Sequence, residues 1–243
     1  MFANQRIMHL FYAPGLTDQN TFSLQKEESH HAVRVLRLGA GSEIVVVNGR
    51  GGWFDVRITD PDPRACGVEV LQARTGIGTP PYHLHIAMAP TKQVDRFEWF
   101  IEKSAEIGIS EITPLICDRS ERREVRIDRL ERVAIAAMKQ SLHAFHPVIH
   151  ETIRFGEFIR GGRPGALAIA HCLPGPKDWL DAIVKAGMPA TVMIGPEGDF
   201  TEREIREAEE SGYRSVTLGE SRLRTETAGL VACQTVSWLL RKR

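Results

Sequence analysis

The residues best suited to chemistry lie in two short stretches in the last quarter of the chain. "IGPEGDFTEREIREAEESG", 194–212, sets Gly195, Pro196, Glu197 and Gly198 side by side just ahead of a helix-like run. "LGESRLRTETAG", 218–229, repeats the idea, with Gly219 after an apolar run and then Arg222, Leu223, Arg224, Thr225 and Glu226. Glycine lets backbone approach a ligand closely or take positive φ, and proline stiffens a loop. An arginine stays protonated and offers a planar fork of donors, so Arg224 suits negative charge that builds up in a reaction. Glu226 and Glu197 suit accepting a proton or holding that arginine. A plainer reading of Glu226 also stands, since a carboxylate in a first helical turn is favoured by the helix dipole. Each loop alone also reads as an ordinary strand–helix connection, which favours Gly, Ser and Thr as well.

Elements that would position these loops follow from the pattern of apolar residues. Thr201 with Glu204 is a capping box, so a helix starts at Thr201, and Gly212 closes it. The apolar run 190–194 before it reads as a buried parallel strand, which puts "GPEGDF" at a strand's carboxyl end, where open α/β sheets bind ligands. "AIAHCLPGP", 168–176, supplies a third such loop. From residue 84 onward strands and helices alternate: strands at 84–89, 109–116, 166–172, 190–195 and 214–219, and helices at 94–108, 127–142, 176–187, 201–212 and 225–240. That alternation predicts a mainly parallel sheet covered on both faces. Helix 94–108 has Phe97, Phe100, Ile101, Ser104 and Ala105 on one face and Gly108 as its stop. The stripe of the last helix runs through Ala228, Val231, Ala232, Thr235, Val236, Leu239 and Leu240.

The first third reads differently. "EIVVVNGRGGWFDVRI" gives two strands joined by a turn at Asn48–Gly52, and "CGVEVLQA" a third. "EESHHAVRVLR" reads as a helix through Ala32, Val35 and Leu36, ended by Gly39. Short strands in so few residues predict a small β-barrel over 1–73. "RTGIGTPPYH", 74–83, is the linker and 84–243 the second domain.

The totals exclude several classes. The 243 residues are 42% hydrophobic and 26% charged, with net charge zero, as in an ordinary globular protein. No apolar run reaches membrane-spanning length, and no secretory leader pattern opens the chain, so the expected location is the cytoplasm. Cys66, Cys117, Cys172 and Cys233 lack CxxC spacing, which argues against a disulfide scaffold or zinc site. His30 with His31, and His143 with His146, read as surface or packing residues, and no metal is expected. There is no GxxxxGK[ST], no GxGxxG after a strand, no HExxH and no GxSxG. Arginines cluster at Arg34 and Arg37, from Arg119 to Arg129, and at Arg222 and Arg224. Such patches bind phosphate without a basic total, but for 119–132 the interleaved Glu121, Glu124, Asp128 and Glu131 equally suit a solvated, paired face.

"IGPEGDFTEREI" followed by "VTLGESRLRTETAG" resembles the RsmE family of 16S ribosomal RNA (uracil-N3)-methyltransferases, of the SPOUT class. The similarity runs the length of the chain, through "HHAVRVLRLGAGSEIVVVNGRGGWFDVRI", "FEWFIEKSAEIGISEITPLICDRS" and "AAMKQSLHAFHPVI". This chain departs at Asp199, where many members have glycine, at Arg222, where many have a bulky aliphatic residue, and at Leu142 and His143, where an arginine is common. The resemblance implies an N-terminal PUA-like β-barrel, then a SPOUT α/β domain with a C-terminal trefoil knot, a homodimer, and S-adenosylmethionine as cofactor. It implies a cofactor pocket from Leu173, Ile194, Gly195, Pro196, Gly198, Leu218, Gly219, Leu223, Arg224 and Thr225. It implies catalysis by Arg224 with Glu226 or Glu197, and contact of Arg34, Arg37 and Arg222 with 16S rRNA or the small ribosomal subunit. A non-catalytic RNA-binding protein and a SPOUT methyltransferase acting on tRNA are the competing readings.

Overall fold

The structure, a computed structural model, describes residues 9–240. It divides into two units: residues up to 79 together with 138–146, and 80–137 together with 147 onward. The sequence reading leaves 138–146 in the second domain.

In the first unit β1 (Leu10–Tyr12), β2 (Thr21–Ser23), β3 (Glu43–Val47), β4 (Trp53–Asp60) and β5 (Gly67–Arg74) form a sheet in the order β1-β3-β4-β5-β2. β1 runs parallel to β3, and the remaining pairs are antiparallel. Phe11, Leu16, Val46, Phe54, Val56 and Ile58 fill its core. The expected turn joins β3 to β4, and the Asn48 carboxamide holds it by accepting the Arg50 and Gly52 N–H groups, both at 2.9 Å. Segment 138–146 completes the unit: Gly51 N–H donates to the Ala144 carbonyl at 2.7 Å, His146 N–H to that of Gly49 at 3.2 Å, and Lys139 pairs with Glu28 at 2.7 Å.

Helix α1 (Lys26–His30) runs into a π-helical turn over His31–Val35. The wider turn breaks the 3.6-residue spacing, so Val35 is 61% exposed while Ala32 is fully buried. The expected stripe therefore fails at Val35. The chain leaves the helix through Arg37, at φ 56°, rather than Gly39.

The second unit is an eight-stranded sheet whose paired strands are all parallel. Its strands are β6 (Leu84–Met88), β7 (Glu111–Ile116), β8 (Val148–Ile149), β9 (Ile153–Arg154), β10 (Ala166–Ala170), β11 (Asp178–Trp179), β12 (Ala190–Ile194) and β13 (Arg214–Thr217). The order is β11-β13-β10-β12-β6-β7-β8, with β9 also on β7. Helices are α2 (Val94–Ile107), α3 (Ile127–Gln140), α4 (Phe155–Arg160), α5 (Leu180–Ile183), α6 (Glu202–Glu210) and α7 (Thr225–Leu240). Alternation along β6 sends Leu84, Ile86 and Met88 to one core with α2 and α7, and Ala87 to another with Phe158 and Ile205 of α4 and α6.

Helix α2 buries the five residues expected and stops at Gly108, at φ 106°. The helix expected over 176–187 is instead β11 followed by the single turn α5. Asp178 and Trp179 are drawn into pairing with Val216 and Thr217 of β13, and Val184 is extended, so only one helical turn forms between them. On α7 the buried face is Thr225, Glu226, Gly229, Ala232, Cys233, Val236, Ser237 and Leu240, so the stripe is rotated from the one expected and leaves Leu239 exposed. Gly229 sets the seat of α7: a Cβ there would lie 2.7 Å from both Met88 Sδ and the Phe100 ring. A purely apolar reading passes over Gly229, Ser237 and the two polar residues of the first turn.

Candidate active site

Strands β10, β12 and β13 lie next to one another and end on the same side of the sheet. The loops that follow them wall a cavity of about 490 Å³, inside the roughly 300–1,000 Å³ usual for small-molecule sites. Of the residues expected to hold a cofactor, Ile194, Gly195, Pro196, Leu218, Gly219, Leu223, Arg224 and Thr225 line it. Leu173 and Gly198 are not among its lining residues. Leu173 packs against the core on the α4–α6 side. Gly198 backs onto Arg119, whose Nη1 donates to the Gly198 carbonyl at 2.9 Å. Glu197, Glu226 and Arg222 do line the cavity, and so do His171, Cys172 and Asp199, which belong to the expected loops but were given no role in the site, and Arg96, which sequence reasoning passed over.

The GPEG loop is fixed by its own side chains. Thr201 and Glu204 form the expected capping box, and buried Glu204 also accepts the Asp118 N–H at 2.8 Å. Glu197 accepts the Lys92 N–H at 2.9 Å, tying the loop to the segment before α2. Asp199 is in the left-handed region, φ 63°, which Asp tolerates better than most residues. It accepts from the Cys172 N–H at 2.7 Å and from the Phe200 N–H at 2.8 Å, joining two of the three loops. A glycine would fit the backbone angle without that bond. Positive φ therefore falls on Asp199 and not on Gly195 or Gly198. Gly195 is needed for closeness instead, since a Cβ would stand 3.0 Å from the Phe200 ring and 3.2 Å from its nitrogen.

Charge in the cavity is uneven. Arg224 and Arg222 are exposed on the third loop. Glu226 is 8% exposed, and Arg96 of α2 approaches it at 3.8 Å. Arg96 precedes the apolar stripe of α2 and belongs to no motif, so nothing in the sequence singled it out. His171 Nε2 lies 2.9 Å from the Ser215 hydroxyl, and that hydroxyl donates to Glu209 at 2.7 Å. The ring therefore donates from Nε2, and its buried Nδ1 is an acceptor without a partner. Burial, aided by nearby Lys177, holds this histidine below its ordinary pKa.

The basic run after β7 resolves toward pairing. Arg119 holds the Gly198 and Phe200 carbonyls, Arg122 those of Thr91 and Lys92, and Arg123 that of Asp118. Arg126 pairs with Asp128, and Arg129 with Glu98. In the first unit Arg34 and Arg37 are exposed.

The model of the RNA methyltransferase domain matches residues 79–237, and that of the RNA methyltransferase PUA domain matches 24–71. The chain belongs to the RNA methyltransferase family. It is 29% identical over 238 residues to Ribosomal RNA small subunit methyltransferase E of Synechocystis sp., covering 95% of this chain and 77% of that protein. It is 27% identical to the Aquifex aeolicus protein of the same name, covering 91% and 95%. Among solved structures, a "probable rRNA-methyltransferase from Porphyromonas gingivalis" superposes with TM-score 0.88 at 40% identity, covering 96% of this chain and 98% of that one. Ribosomal RNA small subunit methyltransferase E from Neisseria gonorrhoeae, bound to S-adenosyl methionine, gives 0.85 at 29% identity, covering 96% and 98%. The PUA-like first unit and the α/β methyltransferase unit expected from the family resemblance are both present. No helix among the described residues is long and apolar enough to cross a membrane.

Proposed function

We propose that this protein methylates N3 of one uridine of 16S rRNA with S-adenosylmethionine as methyl donor. The observation that carries the reading is one cavity at the carboxyl ends of β10, β12 and β13 that brings the GPEG and LRTETA loops together with Arg224 and Glu226. The names of the relatives point the same way. The cofactor would sit against Ile194, Gly195, Leu218, Gly219, Leu223 and Thr225. It supplies an electrophilic methyl group on a sulfonium.

The chain's own residues meet the difficulty on the uracil side. Neutral N3 carries a proton and is a poor nucleophile, so charge must spread onto O2 and O4 as that proton leaves. The Arg224 guanidinium, exposed at the cavity wall, stabilises that charge. Glu226, low in solvent exposure and beside Arg96, accepts the proton or orients the arginine. Glu197 has one oxygen taken by the Lys92 amide, which suits a loop tether better than a base. N3 is hidden in a base pair, so the target uridine is single-stranded or flipped. Arg34, Arg37 and Arg222 contact RNA, the first two as backbone contacts that position without reading sequence.

The same reading includes a trefoil knot in the C-terminal region, in keeping with β13 lying between β10 and β11, both earlier in the chain. It includes a homodimer, supported by Trp99 of α2 and Trp238 and Leu239 of α7, which are 41%, 68% and 37% exposed. It places the protein in the cytoplasm. The test is mass-spectrometric analysis of rRNA nucleosides with and without the gene. Loss of 3-methyluridine from 16S rRNA, restored by the parent gene and not by Arg224→Ala, is the expected result. An unchanged 16S rRNA with a missing tRNA modification would replace this substrate with tRNA.

A further inference from the structure

A second cavity, of about 780 Å³, opens at the amino end of the parallel sheet. Three histidines there surround one carboxylate. His83 precedes β6, His85 is its second residue, Glu111 begins β7, and His150 follows β8. His83 Nε2 and His150 Nε2 lie 2.7 Å from the two oxygens of Glu111, and His85 Nδ1 is 3.7 Å from the one that His150 touches. One ligand atom each from His85, Glu111 and His150 falls within 4.8 Å of the others. We propose that His85, Glu111 and His150 bind a divalent transition-metal ion of the zinc type, with His83 or water as fourth ligand.

Donor chemistry selects the ion. Imidazole suits zinc, nickel, cobalt and copper, whereas magnesium and calcium prefer oxygen. Zinc takes four ligands at about 2.0–2.2 Å, which places ligand atoms roughly 3.4 Å apart, so the cluster needs to close by no more than about 1.5 Å. His85 is prepared for the role. It is 4% exposed, and its Nε2 is 2.7 Å from the Thr113 hydroxyl. When Thr113 accepts, Nδ1 turns a lone pair toward a carboxylate oxygen, and a cation between two such acceptors satisfies both. That outer contact is the usual means of fixing a metal-binding histidine. The protons now shared between Glu111 and these histidines would leave as the metal enters. The ion would pin β6, β7 and the end of β8 together, at the end of the sheet opposite the methyl-transfer cavity.

The test is calorimetric titration of the metal-stripped full-length protein with Zn2+ alone, repeated with Co2+ while visible absorption is recorded. One equivalent of Zn2+ per chain and the intense bands of four-coordinate Co2+ are expected. Glu111→Gln and His150→Ala should each weaken that binding by at least about 10- to 100-fold, the cost of losing even an outer partner of a ligand, while His30→Ala, a change at an exposed histidine elsewhere, leaves it alone. Far-UV circular dichroism verifies that each variant is folded. Absence of stoichiometric uptake by the parent protein overturns the site without recourse to any variant. Uptake unchanged in Glu111→Gln and His150→Ala also overturns it and assigns the metal to other residues.

Discussion

At the carboxyl end of the parallel sheet the cavity is walled by three loops that Glu197, Asp199, Glu204 and Arg119 fasten to their neighbours. At the amino end the wall is side chains: three histidines, Glu111 and Thr113 standing on or beside neighbouring strands, with Arg163 stacked on Phe158 behind them. The first end suits a large, flexible ligand that must be held along its length. The histidine–glutamate cluster within the second suits something small enough to be gripped by a few atoms. Loops at carboxyl ends can lengthen and change without disturbing the sheet, whereas the amino-end cluster depends on strand register, with His85 opposite Glu111 on β6 and β7.

Variants at one end should leave the other untouched, and that is where the comparison can be broken. The largest expected effect is Arg224→Ala. Single-turnover methylation should fall roughly 10²–10³-fold, with zinc uptake kept. A parent-like rate would remove Arg224 from the reaction. Next is Gly195→Val. Crowding of Phe200 should cost about 1–3 kcal/mol, read as a loss of roughly 5- to 150-fold in S-adenosylmethionine affinity by calorimetry. Unchanged affinity would take this loop out of the site. Asp199→Gly is milder: the backbone angle is kept and the bond to the Cys172 amide lost, so affinity should drop by a few-fold to about tenfold.

The smallest effect is a pH dependence. His171 faces Lys177, Asp199, Glu209 and Ser215, and its folded pKa lies below its ordinary 6.5. The unfolded chain therefore binds the proton first on acidification. Stability from this residue is present above about pH 6.5 and declines as the pH falls toward the folded value. Urea unfolding across that range should show a shallower decline in His171→Gln than in the parent. Equal slopes would mean that the ring is already accessible to solvent protons.

The carboxyl end was legible in sequence because its residues are consecutive. Gly, Pro and Glu in one loop and Arg-Thr-Glu in the next are local signals, and Thr201 with Glu204 marks the helix start. The amino end was illegible because His85, Glu111 and His150 come from separate segments and carry no common motif. Arg96 was missed for the same reason, being a lone charge near the start of α2. Elsewhere the misses came from local geometry that apolar spacing does not encode. A π-turn moved Val35 outward, pairing of Asp178 and Trp179 with β13 shortened the helix expected at 176–187, and Gly229 turned α7 toward Met88 and Phe100.

The first unit has its own consequence during synthesis. Its strands are complete by Arg74, yet the turn after β3 takes hydrogen bonds from, and gives them to, residues 144–146. A chain emerging from the ribosome presents that closing segment about seventy residues later. At 5–20 residues per second the gap is roughly 4–14 s. For that interval the nascent sheet carries an open turn and an unpaired Glu28, and a fragment ending at the linker would keep them for good.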